Sequence, residues 1–144
     1  TQDTVIIAFS DHINYTYLNT PERKKKLKGT SDENLGTKVP LFISNPAIKS
    51  DVINQVSSNI DLLPTTLNLF GIPYNPKNYI GRDIFNLDEP KYVFFKDRSW
   101  YDGKTYYQPN ITEPKPEFDE INNLIDKQLK VNESILETNY FARK

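Results

Sequence analysis

Three consecutive polar residues, Ser10, Asp11 and His12, follow an apolar segment and form the most promising chemical group of the sequence. A carboxylate oxygen and an imidazole nitrogen together suit a divalent cation such as Mn²⁺, Zn²⁺ or Mg²⁺, of which Mg²⁺ binds nitrogen least readily. Successive strand residues point to opposite faces, so both side chains reach one ion only if the backbone turns out of the sheet here. The end of a strand allows that turn, and Asp11 and His12 are therefore candidate metal ligands.

The same two residues also have an ordinary structural interpretation. Asp11 can cap a following helix, and His12 can be a hydrogen-bonded residue beside the core. Two side chains also fill only part of a shell of about four to six ligands. The position of the pair, at the carboxyl edge where α/β folds place their ligands, keeps the metal interpretation open beside the structural one.

The apolar segments indicate the elements that must position this pair. Residues 4–9 form a continuous apolar run, which predicts a strand covered on both faces, as in a parallel sheet. Such a strand needs neighbours and covering helices, and only three residues precede it, so we expect a chain that begins in the middle of a fold. Residues 39–43 predict a second strand. Residues 16–38 predict a short helix and a surface loop, whose basic cluster is better interpreted as a solvated face than as an anion site.

A helical pattern follows between residues 57 and 71. Asp61 is expected to cap the first turn, Pro64 to lie where no amide donor is needed, and Gly71 to end the helix. The apolar residues that recur at helical spacing, and so predict its buried face, are Ile60, Leu63, Leu67 and Phe70, widened by Leu62 and Leu69.

The last third of the chain predicts an antiparallel sheet with a helix across it. Residues 92–95 form a strand pattern, and Asp102-Gly103 favours the tight turn of a hairpin. The apolar residues between 118 and 136 fall on one side of a helical wheel, which predicts an amphipathic helix.

Composition excludes several classes of protein. The chain has 144 residues with a formal net charge of -1, so no global positive field favours nucleic acid as a partner. It contains no cysteine and one histidine, which excludes thiol chemistry and a multi-histidine metal site. No apolar stretch is long enough to span a membrane, so a membrane anchor is expected outside this chain.

Three ordered segments, Thr4–His12, Lys38–Pro46 and Ser57–Ile72, resemble signature segments of the sulfatase-like branch of the alkaline phosphatase superfamily. Within that branch the chain is most similar to the lipoteichoic acid synthase and phosphoglycerol transferase family. Residues 80–85 and 135–141 resemble the C-terminal part of the same enzymes.

The resemblance implies an α/β fold: a fragment of an alkaline-phosphatase-like sandwich, with parallel strands and covering helices, followed by a small antiparallel sheet with a C-terminal helix. It places the C-terminal part of the sulfatase-like core at residues 1–88 and the small sheet and helix at 89–144. It implies that Asp11 and His12 bind the metal, Mn²⁺ in this family, with Zn²⁺ and Mg²⁺ as alternatives. The nucleophilic threonine is expected upstream, so the isolated chain is expected to lack activity.

The resemblance also implies a function and a location. The expected parent is a bacterial transferase at the extracellular face of the membrane, anchored by upstream transmembrane helices. It moves glycerol phosphate from phosphatidylglycerol to a cell-envelope polymer, and its partners are that lipid and the N-terminal half of the same protein. A sulfatase, a phosphoethanolamine transferase, another phosphodiesterase and a noncatalytic scaffold are the alternatives. One departure favours the scaffold: relatives usually carry glycine just after the Asp-His pair, where this chain has Ile13 and Asn14.

Overall fold

A computed structural model describes residues 4–89 and 91–143 of the chain. Their packing forms two units, of which the first ends at Ile53 and the second begins at Asn54. This division falls earlier than the predicted domain boundary after residue 88, which stays a prediction. Among the described residues, no helix combines the length and the apolar character needed to cross a membrane.

The first unit contains two short strands, β1 (Ile6–Phe9) and β2 (Leu41–Ser44), joined through a helix, α1 (Pro21–Lys28), and a 3-10 turn at Leu35–Thr37. The strands pair antiparallel, with Phe9 opposite Leu41, so the predicted parallel arrangement is wrong for this sheet. The connection returns the chain to the end of the sheet that β1 leaves, whereas a parallel pair needs a crossover to the opposite end.

The expected burial of β1 on both faces is also wrong for this chain. Ile6 is 60% exposed and Phe9 is 51% exposed. Helix α1, which Thr20 caps at its N-terminus, buries none of its residues and so supplies no covering layer. An apolar run indicates a strand, but it contains no information on the direction of the neighbouring strand or on what covers each face.

The second unit begins its helical structure earlier than predicted. A 3-10 turn at Asn59–Asp61 leads into α2 (Leu62–Leu69). Asp61 makes no side-chain cap to α2, contrary to the expectation, and its carboxylate accepts the backbone N–H of Ser58 at 2.8 Å. The helix ends as predicted, because Gly71 adopts a left-handed conformation with φ of +63°.

Helix α2 buries only part of its predicted apolar face, because Leu62, Leu67 and Leu69 are half-buried and the other residues of that face are exposed. Leu63 and Phe70 are both 54% exposed, whereas Pro64 and Thr65 are buried. The buried side contacts the loop at residues 81–84. The Thr65 hydroxyl accepts the backbone N–H of Ile84 at 3.0 Å and donates to the carbonyl oxygen of Asp61 at 2.6 Å.

Gly81 lies where this loop passes the start of α2. A Cβ atom at this position would lie 1.9 Å from the carbonyl oxygen of Ile60, which no side chain tolerates. The next residue, Arg82, donates its backbone N–H to the Asp61 carboxylate at 2.8 Å. The close approach therefore requires glycine, and the carboxylate secures the contact.

The rest of the second unit is the predicted antiparallel sheet with its helix. Strands β3 (Val93–Phe94), β4 (Trp100–Tyr101) and β5 (Tyr106–Tyr107) are adjacent in that order. The predicted Asp102-Gly103 turn joins β4 to β5, with φ of +97° at the glycine. A 3-10 turn at Pro76–Asn78 precedes the sheet.

Helix α3 (Pro116–Glu137) closes this core and is followed by a 3-10 turn at Tyr140–Arg143. Trp100 is 1% exposed, and its indole N–H donates to Asn122 Oδ1 of the helix at 2.9 Å. Only part of the predicted apolar face is buried, since Val131 and Leu136 are exposed. The buried cluster consists of Tyr92, Trp100, Phe118 and Ile125.

We predict that Gly81→Ala lowers the free energy of unfolding of the second unit by about 3 kcal/mol, because the added methyl group overlaps backbone atoms. Urea unfolding followed by the fluorescence of Trp100, the sole tryptophan, measures this unit. Gly71→Ala is the matched control and should cost about 1 kcal/mol, since it adds only left-handed strain. Equal losses in the two variants would contradict the close-approach argument.

Candidate functional site

The chain leaves β1 at Phe9 and bends at Asp11 and His12. The Ser10 hydroxyl donates to the carbonyl oxygen of His12 at 2.6 Å, across this bend. The backbone therefore turns away from the strand at the position where two neighbouring side chains need a turn to reach one point.

The side chains of Asp11 and His12 face each other. His12 Nε2 lies 3.7 Å from Asp11 Oδ1. The side chain of His12 is 56% exposed, and that of Asp11 is 81% exposed. Two ligands of one ion, each with a bond of about 2.1 Å as in zinc sites, are separated by at most about 4.2 Å. The observed separation is compatible with one cation bound by both groups.

The hydrogen bond at His12 Nδ1 determines that Nε2 is the nitrogen available to a ligand. His12 Nδ1 lies 2.6 Å from the carbonyl oxygen of Ile13. A carbonyl oxygen only accepts, so Nδ1 is the donor, and in the neutral ring Nε2 carries the lone pair. A histidine that donates one N–H to a backbone carbonyl and presents the other nitrogen is the common arrangement of a metal ligand.

The structure excludes one of the two structural alternatives from the sequence. The next helix, α1, is capped by Thr20, so Asp11 does not cap it. His12 is hydrogen-bonded to the carbonyl oxygen of the buried Ile13, so the interpretation as a hydrogen-bonded residue beside the core stays open next to the metal interpretation. An ion pair between Asp11 and protonated His12 is a third possibility, but exposed ion pairs contribute little to stability.

The residues after the pair close the turn without glycine. Ile13 is buried, at 5% exposed, and no left-handed residue occurs there, since positive φ among described non-glycine residues is confined to Arg98, Asn110 and Asn139. The Asn14 side chain accepts the backbone N–H of Tyr17, and its carbonyl oxygen accepts that of Leu18, each at 2.9 Å. The substitution of the expected glycine therefore leaves a well-bonded turn.

The described part of the chain supplies only two candidate metal ligands at this point. Within residues 4–89 and 91–143, no group of three or more His, Cys, Asp or Glu side chains could hold a metal ion. The pair is half of a coordination shell at most.

A shallow crevice in the second unit brings together charged residues that sequence analysis did not single out. The Arg82 guanidinium lies 4.0 Å from the ring centroid of Tyr92 and donates to that residue's carbonyl oxygen at 2.7 Å. Lys91 donates to the Asp83 carbonyl oxygen at 2.8 Å, and desolvation, aided by Arg82, lowers the Lys91 pKa. Arg82 and Lys91 both donate to backbone carbonyl oxygens of the chain. We therefore interpret the crevice as a packing contact between segments of the second unit.

The family of the chain follows from comparison with known sequences. The sulfatase family model matches residues 1–72, half of the chain, and the chain belongs to that family. The matched region contains Asp11 and His12, the sheet of the first unit, and α2.

The chain is also similar to lipoteichoic acid synthases of Staphylococcus aureus, among them those of strains USA300, NCTC 8325 / PS 47 and COL. Each is 26% identical over 155 aligned residues, which cover 96% of this chain and 24% of the relative. The chain thus spans about a quarter of the length of these relatives, and the resemblance deduced from the three sequence segments is confirmed.

We predict that neutral His12 carries its proton on Nδ1, because the Ile13 carbonyl holds that nitrogen as a donor. The ring-nitrogen chemical shifts of an isotope-labelled chain, recorded at a pH of about 8.5, measure the tautomer. His12 is the only histidine, so its signals need no assignment. A ring protonated mainly on Nε2 would contradict this geometry.

Proposed function

We propose that this chain is the C-terminal portion of a metal-dependent phosphoglycerol transferase similar to lipoteichoic acid synthase. The proposed reaction transfers glycerol phosphate from phosphatidylglycerol to a polymer of the cell envelope. The observation that carries the proposal is the 3.7 Å separation of His12 Nε2 and Asp11 Oδ1, in a chain of the sulfatase family. The similarity to lipoteichoic acid synthases over 96% of the chain supports the choice within that family.

Asp11 and His12 are the proposed metal ligands, with Mn²⁺ as the expected ion and Zn²⁺ or Mg²⁺ as alternatives. Asp11 contributes a charged oxygen, and His12 contributes a neutral nitrogen whose orientation the Ile13 carbonyl holds. The ion, when bound, lowers the pKa of a hydroxyl nucleophile and neutralises charge on the phosphoryl oxygens. The other ligands would come from water, substrate and residues outside this chain.

The nucleophile belongs, in this proposal, to an upstream part of the same protein. The conspicuous threonines of this chain have structural bonds instead. Thr65 is buried and bonded to Asp61 and Ile84, and the Thr66 hydroxyl donates to the Leu62 carbonyl oxygen at 2.7 Å. The chain alone is therefore proposed to be inactive. The parent protein is placed at the extracellular face of a bacterial membrane, held by helices outside this chain.

The family match also supports a second enzymatic candidate, because the family description is that of sulfatases. A sulfatase or another phosphodiesterase of the same superfamily would use the same pair of ligands. The upstream nucleophile separates the candidates: threonine favours phosphotransfer, and a cysteine or serine converted to formylglycine favours sulfate-ester hydrolysis. The sequence argument for a noncatalytic scaffold was the missing glycine after His12. This argument is weakened, because the turn after His12 closes without glycine.

We predict that Mn²⁺ broadens the proton signals of His12 in the untagged 144-residue chain, weakly because only two ligands are available. Asp11→Asn should reduce the broadening at equal Mn²⁺ concentration by about tenfold, the scale of ligand-sphere losses in metal sites. Asp51→Asn, at an exposed aspartate of the same unit, is the matched control and should change nothing. Equal broadening in the two variants would exclude Asp11 as a ligand.

We predict further that Asp11→Ala or His12→Ala in the complete polypeptide lowers Mn²⁺-dependent release of glycerol phosphate from a phosphatidylglycerol analogue by at least about a thousandfold. This factor corresponds to the several kcal/mol that a metal contributes to the transition state. Circular dichroism should be unchanged, because both side chains are exposed. Turnover that persists in these variants would refute the assignment, and hydrolysis of an aryl sulfate in its place would favour the sulfatase alternative.

A further inference from the structure

An aromatic ring lies against the imidazole of the candidate ligand. The ring centroids of His12 and Tyr15 are 5.2 Å apart, and the ring planes differ by 24°, which is a stacked arrangement. Tyr15 is 64% exposed, so burial in a core does not account for the position of its ring. The stack itself requires an explanation.

The turn that carries Tyr15 is anchored at both ends. Ile13 and Leu18 are buried, at 5% and 6% exposed, and the Leu18 N–H donates to the Asn14 carbonyl oxygen. These contacts bring residue 15 back over residue 12. The contacts that hold the turn of Tyr15 therefore do not involve the imidazole itself.

His12 is restrained on one edge and on one face. The edge is the Nδ1 hydrogen bond to the Ile13 carbonyl, and the face is the stack with Tyr15. The second side-chain torsion of histidine has broad energy wells, so an exposed imidazole is not oriented by its own torsions. Rotation of about 90° about that torsion would break the hydrogen bond, lose the stack and turn Nε2 away from Asp11, whereas a half-turn keeps the stack but takes Nδ1 away from the Ile13 carbonyl.

We propose that Tyr15 is a positioning residue for His12: its ring keeps the imidazole in the orientation and tautomer that present Nε2 to the Asp11 carboxylate. The benefit for metal binding rests on the function proposed above, because an oriented lone pair matters only if Nε2 binds a ligand. The orientation itself is a property of the chain and can be measured without any metal.

The metal-free experiment compares three variants of the isotope-labelled chain at a pH of about 8.5. Tyr15→Ala should lower the ratio of Nδ1–H to Nε2–H tautomer by about threefold to tenfold, the population ratio that a contact between aromatic rings sustains. Tyr15→Phe keeps the stack and should keep the ratio. Tyr17→Ala is the matched control: Tyr17 is an exposed tyrosine of the same turn whose ring lies near Arg23.

A merely structural role for Tyr15 would give a different pattern. It would shift urea unfolding and leave the tautomer ratio of the folded chain at its wild-type value, and that result would overturn the proposal. A fall in the ratio for Tyr17→Ala equal to that for Tyr15→Ala would also overturn it, since the effect would then belong to the turn as a whole.

Mn²⁺ titration of the same samples tests the proposed function separately. Broadening of the His12 signals should fall in Tyr15→Ala by the factor by which the fraction of rings protonated on Nδ1 falls, which is smaller than the change in the ratio, and should stay at the wild-type level in Tyr15→Phe. Broadening that depends on Asp11 but not on Tyr15 would overturn the positioning role and retain the metal site. A tautomer ratio that depends on Tyr15, with broadening indifferent to Asp11→Asn, would retain the positioning role and refute the metal pair.

Discussion

A buried carboxylate, Asp61, organises the start of α2 in the second unit. It accepts the backbone N–H groups of Ser58 and Arg82, each at 2.8 Å, and so joins the entry of the helix to the loop that passes over it. Hydrogen bonds to charged groups contribute about 1.5–3 kcal/mol each. This loop approaches so closely that its Gly81 has no room for a side chain. Thr65 of α2 completes the same junction, because its hydroxyl accepts the backbone N–H of Ile84.

The candidate site depends on a much more local arrangement. Asp11 and His12 lie at a bend immediately after β1, and the partners that orient the imidazole, the Ile13 carbonyl and the Tyr15 ring, follow within three residues. Strand β1 places the pair at this position. The contacts that keep the two side chains facing each other come from residues next to the pair in the sequence. This local character explains why the two side chains face each other in a chain that covers about a quarter of the length of its relatives.

Two apolar surfaces that the sequence predicted as buried are largely exposed. Ile6 and Phe9 of β1 and Leu63 of α2 are more than half exposed. Periodicity reports which side of an element is apolar, and burial depends on whether another layer of the molecule lies against that side. In the sheet of β3, β4 and β5, α3 supplies that layer, and Trp100 is almost completely buried as the pattern led us to expect.

The sequence by itself determined the positions of the strands and helices, the Asp102-Gly103 turn, the helix end at Gly71, and the resemblance that the family match confirms. These features depend on local conformational preference and on short ordered segments, which neighbouring residues encode. Only the tertiary structure decided that β1 and β2 run antiparallel, that Asp61 bonds to Arg82 rather than capping α2, and that His12 Nε2 faces Asp11. Each of these depends on where the backbone places groups relative to one another in space, and neither residue type nor periodicity specifies that placement.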